Sequence, residues 1–167
     1  DYMLTVLLAK VIARMQQTAP GIGFDLVPVS VAALERLDHG ELDLLILPEM
    51  MTLASRPKEV LFEDTTVCVV WKHNRRVGDA ISLEQYLALG HVVPRLIEYR
   101  PASPAREYIA GLRRSINSEV TATYFGALPQ LVVGTDRVAN MLRRHAEIWA
   151  RLLPLKLLAL PFKVPPV

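Results

Sequence analysis

Only one cysteine occurs in the 167 residues, Cys68, inside the apolar run TTVCVVW. No internal disulfide can form, and a reducing compartment is the expected setting. Phosphate loops are absent, since neither GxxxxGK[ST] nor GxGxxG occurs. The nearest match, Gly21-Ile22-Gly23, follows a helical segment where the motif requires a strand, so it reads as a turn. His39, His73, His91 and His145 are far apart and never in HxxxH or HExxH spacing, so no metal set is expected. No GxSxG elbow is present to expose a nucleophile; Ser30, Ser82 and Ser103 stand where helix caps belong. Cys68 in mid-strand reads as a small buried hydrophobe. Long apolar runs are also missing: the longest, LDLLILPEMMTLA, is broken by Asp43, Pro48 and Glu49 and falls short of a bilayer span. Nineteen Lys and Arg against 17 Asp and Glu leave +2, with the cations scattered, which argues against a phosphate-gripping surface on this segment.

What is present is a well-patterned α/β chain, 51% hydrophobic and long enough to bury a core. Leu4, Leu7, Leu8, Val11, Ile12 and Met15 recur at helical spacing and predict a first helix with one buried face, stopped by Ala19-Pro20-Gly21. A strand is predicted at 24 to 29, then Ser30 as cap of a short helix ended by Gly40, then a buried strand at 42 to 48. These strands, apolar on both faces, suit a parallel sheet. Such a sheet normally has a strand before its first helix, so the chain is expected to start inside its domain. A strand from about 61 to 72 follows, with a polar turn through Arg75, Arg76 and Gly78 taken as the join between two halves. Beyond it come Ser82 and Gln85 in capping-box spacing, a strand at 91 to 96, a helix capped by Ser103 with Pro104 first, and a strand at 118 to 123. A helix at 126 to 133, a strand at 137 to 142, a helix through HAEIWARL and a strand at 155 to 160 complete the pattern. The Pro-rich end PFKVPPV reads as a linker or crossover.

For catalysis, the pair Glu63-Asp64 offers two carboxylates, but strand neighbours point to opposite faces, so solvated edge charges are expected. Binding chemistry is better supplied. In a parallel α/β sheet, ligands sit beyond the carboxyl ends of the strands. Those ends are read here as Pro48-Glu49, Trp71 to Asn74, Ile97 to Arg100, and Tyr124-Phe125. Trp, Tyr and Phe beside Lys72, His73, Asn74 and Arg100 suit a planar aromatic ligand; equally, such aromatics are ordinary covers for strand ends. Gly134-Thr135-Asp136, which looks like a catalytic phrase, reads as the left-handed turn ending the helix at 126 to 133.

The phrases DYMLTVLLAKVIARMQQTAPGIGFDLVP, GELDLLILPE, LFEDTTVCVVWKHNR, LEQYLALGHV and LPQLVVGTDRVANM run along nearly the whole chain. In that order the sequence resembles the effector-binding domain of LysR-type transcriptional regulators, nearest in look to the branch with nodulation regulators and regulators of aromatic-compound degradation. The resemblance implies two Rossmann-like lobes of the type 2 periplasmic-binding-protein kind, truncated at both ends, with 1–68 in lobe I, 69–162 in lobe II and 163–167 as a crossover. It implies an inducer cleft taking Asp1, Tyr2, Thr5, Pro48, Glu49, Trp71, Lys72, His73, Asn74, Tyr99, Arg100, Tyr124 and Phe125. The expected inducer is a small aromatic molecule such as a flavonoid or aromatic acid. It further implies a cytoplasmic homodimer or homotetramer that reaches promoter DNA through an N-terminal winged helix-turn-helix not in this chain. No cofactor, metal, membrane or enzymatic activity is expected. A periplasmic solute-binding protein of the same fold is the first alternative, and a small α/β enzyme acting on aromatic substrates the second. After the strand at 137 to 142 relatives usually carry a proline; here ANMLRRH has none, so a different exit is expected.

Overall fold

A computed structural model describes residues 1–30, 32–52, 56–95 and 104–167. The chain opens on a π-helical stretch, Leu4–Leu8, that runs on into α1 (Ala9–Thr18). Its expected apolar face is half-buried at Leu7, Leu8, Ile12 and Met15 and exposed at Leu4 and Val11; no residue from Leu4 to Thr18 is fully buried. A short α2 (Ala33–Asp38) ends where Gly40 takes φ +72°, as its position predicts. Ser30 does not cap it. The cap position falls on Ala32, without a side-chain bond, and Ser30 contributes only its carbonyl to the Ala33 amide at 3.0 Å.

The strands expected at 24 to 29 and 42 to 48 are not formed. A strand needs a hydrogen-bonding neighbour, and neither segment has a ladder partner among the described residues. Phe24, Leu26, Val27, Val29 and Leu44 accordingly stay exposed, Leu44 at 85%.

From residue 66 onward the chain folds as expected in its elements but not in their directions. The elements are β1 (Thr66–Trp71), α3 (Leu83–Ala88), β2 (Gly90–Pro94), α4 (Pro104–Gly111), β3 (Asn117–Ala122), α5 (Leu128–Val132), β4 (Val138–Leu142), α6 (Arg143–Ala150) and β5 (Leu155–Leu158). Among the described residues they build one sheet in the order β3-β2-β4-β1-β5. β2 is parallel to β3 and β4, whereas β1 is antiparallel to β4 and β5. The sheet is therefore mixed, not all-parallel. The expected join at Arg75, Arg76 and Gly78 lies inside this body, between β1 and α3, and β1 itself starts before the expected boundary at 68.

Side chains alternate across the sheet as period 2 requires. Val67 and Val69 of β1, with Ala139 and Met141 of β4, face α5 and α6, where Leu128, Val132 and Ala146 close one core. Cys68, Val70 and Val138 face the other way, against Tyr86 of α3 and Ile109 of α4. Cys68 is fully buried, and burial pushes its thiol up to about 12, so it is the inert hydrophobe its setting predicts. The capping box holds as written: Ser82 Oγ accepts from the Gln85 amide at 3.1 Å and Gln85 Oε1 from the Ser82 amide at 3.0 Å.

Gly134 takes φ +75° after α5, and Thr135 closes the turn by donating to the Val132 carbonyl at 2.8 Å. A Cβ at Gly134 would meet nothing within 4 Å, so only the backbone resists substitution. Gly134→Ala is expected to cost about 1 to 2 kcal/mol, the left-handed penalty for an L-residue. Leu128→Ala, which empties a fully buried position, is expected to cost about 2 to 5 kcal/mol. Urea unfolding followed by circular dichroism measures both; a neutral Gly134→Ala would contradict the left-handed turn.

Candidate functional site

The antiparallel course of β1 decides which residues meet. β2, β3 and β4 end on one edge of the sheet, called here the carboxyl edge, and β1 begins there, with Thr66 opposite Leu142. The end of β1 is therefore at the other edge, with Val70 opposite Val138. Trp71, Lys72, His73 and Asn74, expected in the cleft, thus sit beside the Gly134-Thr135-Asp136 turn. Asn74 Nδ2 donates to the Asp136 carbonyl at 3.2 Å, and the Lys72 amide donates to the Pro154 carbonyl at 2.7 Å. The four stand at the edge where β1 ends and β4 begins, whereas Tyr124 and Phe125 follow the end of β3. Pro48 and Glu49 form a turn of their own, in which Lys58 Nζ donates to Glu49 at 3.0 Å. Tyr99, Arg100 and the cap at Ser103 lie outside the described residues.

Asp1, Tyr2, Thr5, Tyr124 and Phe125 do come together, at the carboxyl edge. The Asp1 carboxylate accepts from the Phe125 amide at 3.3 Å and the Gly126 amide at 2.7 Å. These amides open a 3-10 turn, Phe125–Ala127, that leads into α5 and has no side-chain cap of its own. Thr5 fixes the Asp1 backbone, donating both its amide and its hydroxyl to the Asp1 carbonyl at 3.1 Å. Tyr124 is 69% exposed beside this contact, and Phe125 packs on the first core.

Beneath them lies a cluster that no sequence motif marks. Asp64, expected as a solvated edge charge, is 5% exposed. Its carboxylate accepts from the Tyr2 hydroxyl at 2.6 Å, the Thr65 amide at 2.8 Å and the Arg144 amide at 3.1 Å. A buried carboxylate is tolerated when charge-assisted donors satisfy it in this way. The last of these bonds caps α6, which starts directly from Leu142 without a side-chain cap. At this proline-free exit β4 passes into α6 without a loop. Burial raises the Tyr2 phenol, and its bond to the anionic Asp64 raises it further. The ring of Tyr2 stands edge-on to His145 at 5.7 Å between centroids. Trp149 Nε1 donates to His145 Nε2 at 3.0 Å, which requires that nitrogen to be unprotonated. Burial, and after it the charge of the amino group at Asp1, pushes the imidazole down to about 4, while the nearby Asp64 pulls the other way.

Outside this cluster an open groove of about 450 Å³ runs between Glu63, Asp64, Thr65, Arg143, Arg144, Glu147, Val164 and Pro166. The chain crosses the carboxyl edge here twice. Asp64 and Val167 exchange backbone bonds, amide to carbonyl, at 2.7 and 2.8 Å. Arg144 lies over the Phe62 ring, 4.8 Å from its centroid. Among the described residues no three His, Cys, Asp or Glu side chains gather as a metal site, and no helix is long and apolar enough to cross a membrane.

The neutral imidazole gives a pH test. His145 is held below its unfolded pKa of about 6.5, so its share of stability is full above that value and is lost as pH falls toward about 4. His91, also buried and lowered by burial, acts in the same direction. The melting temperature is expected to drop over this window, less steeply in His145→Phe. Trp71 and Trp149 are the two tryptophans. In a Trp71→Phe background, indole emission is expected to hold steady at neutral pH and to change near pH 4 as Nε2 is protonated. A transition near pH 6.5 would contradict the buried, neutral assignment.

No family model matches the chain. It is 36% identical over 169 residues to nodulation protein D 2 of Rhizobium tropici, covering 100% of this chain and 53% of that protein. The chain thus spans about half the length of the curated relatives it matches. Among solved structures, a probable transcriptional regulator from Pseudomonas aeruginosa superposes with a TM-score of 0.88 at 27% identity, over 99% of this chain and 57% of that one. The C-terminal domain of a probable LysR family transcriptional regulator from Rhodococcus sp. RHA1 superposes with a TM-score of 0.76 at 12% identity, over 99% of this chain and 82% of that one, a likeness of fold alone. By sequence the chain is similar along its whole length to part of nodulation protein D, and by fold it matches LysR regulatory domains.

Proposed function

We propose that this chain is the effector-binding and oligomerisation part of a cytoplasmic, DNA-binding transcriptional regulator that senses a small aromatic molecule such as a flavonoid or an aromatic acid. The observation that carries the reading is the carboxyl edge. Asp1, at the start of the first helix, accepts there from the Phe125 and Gly126 amides next to Tyr124, and the segments before β1 and after β5 pair at the same edge. An α/β sheet presents its ligand crevice at this edge. Tyr124 offers an exposed aromatic face, and the nodulation protein D homology favours a regulator over a solute carrier or an enzyme. Promoter contact belongs to a winged helix-turn-helix outside this chain, and the assembly is a homodimer or homotetramer. Effector binding works by favouring one arrangement of the chain over another, which requires a difference in affinity between the two.

A thermal-shift screen of flavonoids and benzoates tests the ligand assignment. At least one compound is expected to stabilise the wild type, with Tyr124→Ala weakening it about tenfold, the value of one aromatic contact. Trp71→Ala, at the far edge, is expected to respond as the wild type does. If no compound shifts the wild type, or if the two variants respond alike to a hit, the assignment is wrong. Static light scattering on the intact regulator tests the assembly, and a strict monomer would count against it.

A further inference from the structure

We infer that Asp1 and Tyr2 form a releasable clasp that docks the start of the first helix on the carboxyl edge of the sheet. No residue of the stretch Leu4–Thr18 is fully buried; Val6, Leu7, Leu8, Ile12 and Met15 are only half-buried, so its apolar anchoring is partial. Its N-terminal end is held by polar bonds to distant parts of the chain. Asp1 grips the Phe125 and Gly126 amides, and the Tyr2 hydroxyl grips Asp64. Elements attached by few buried contacts open at the lowest free energy and are the ones that move in switching. The π-helical turn at Leu4–Leu8, directly behind the clasp, is a backbone irregularity of the kind found mostly where a helix serves a function.

The seat of the clasp is close-fitting. A Cβ on Gly126 would stand 3.2 Å from Asp1 Oδ2 and 3.4 Å from the Trp149 ring. Gly126 does not occupy the left-handed region, so an alanine there is unstrained in its own backbone and acts only by pushing on Asp1 and Trp149. Release of Tyr2 leaves Asp64 with the Thr65 and Arg144 amides, so the sheet and the cap of α6 stay satisfied. It also uncovers His145 and, through it, Trp149, which makes the indole a reporter of docking.

The clasp is independent of the ligand assignment, and its test needs no effector. Hydrogen exchange by mass spectrometry is compared for wild type, Tyr2→Phe and Gly126→Ala, with Trp149 emission recorded in a Trp71→Phe background. Both variants are expected to speed exchange across residues 9–18 about tenfold, the loss of roughly one hydrogen bond, and to shift Trp149 emission. Exchange over 66–71 and 138–142 is expected to stay at the wild-type rate. Unaltered exchange over 9–18 in both variants overturns the clasp, and so does acceleration of the sheet in step with the helix, which is general destabilisation. Failure of the ligand screen leaves this result standing, and failure here leaves a ligand hit standing.

Discussion

A carboxylate that has left water must be met by donors, and the structure around the carboxyl edge is arranged about that requirement at Asp64. Three separate elements answer it: the first helix through Tyr2, the strand start through Thr65, and α6 through the Arg144 amide. One side chain thereby settles several local questions. α6 needs no cap of its own, so β4 passes into it without a loop. The Arg143 amide bonds the Thr65 carbonyl at 2.7 Å and extends the β1 to β4 pairing beyond the strands. Each of these is a backbone group that would otherwise be orphaned at a helix or strand end.

The second constraint is direction. Because β1 runs against its neighbours, Trp71 at its end comes to the edge that holds the Gly134 turn. An all-parallel sheet would have placed Trp71 with Tyr124. The same reversal brings the segment before β1 and the segment after β5 to a common edge, where they pair through Asp64 and Val167. The geometry of the candidate site is thus a result of strand direction more than of any motif.

Features fixed within a few residues were legible in the sequence. The Ser82–Gln85 box, the glycine turns at 40 and 134, Pro104 at a helix start and the burial of Cys68 all follow from local chemistry and stand as read. Features fixed by distant partners were not. The segments at 24 to 29 and 42 to 48 have strand composition, but composition does not supply a neighbour to pair with. Glu63 and Asp64 look alike as neighbouring acids; what buries one of them is a tyrosine 62 positions away. Of the site, Asp1, Tyr2, Thr5, Tyr124 and Phe125 were placed by resemblance along the chain, whereas His145, Trp149 and Gly126 carry no signature in isolation. The fold family itself was legible, because the resembling phrases keep their order along nearly the full length.

The paired crossing at Asp64 and Val167 has a mechanical consequence. A chain that leaves a sheet once can swivel about that single thread in any sense. Where a second segment lies alongside, tied by reciprocal amide bonds as Val167 is to Asp64, twisting the first would shear those bonds. Bending across the pair breaks neither of them. The groove lined by Glu63, Arg144 and Val164 adjoins this pair, so its wall at Asp64 is tied to the end of the chain segment after β5 by the same two bonds.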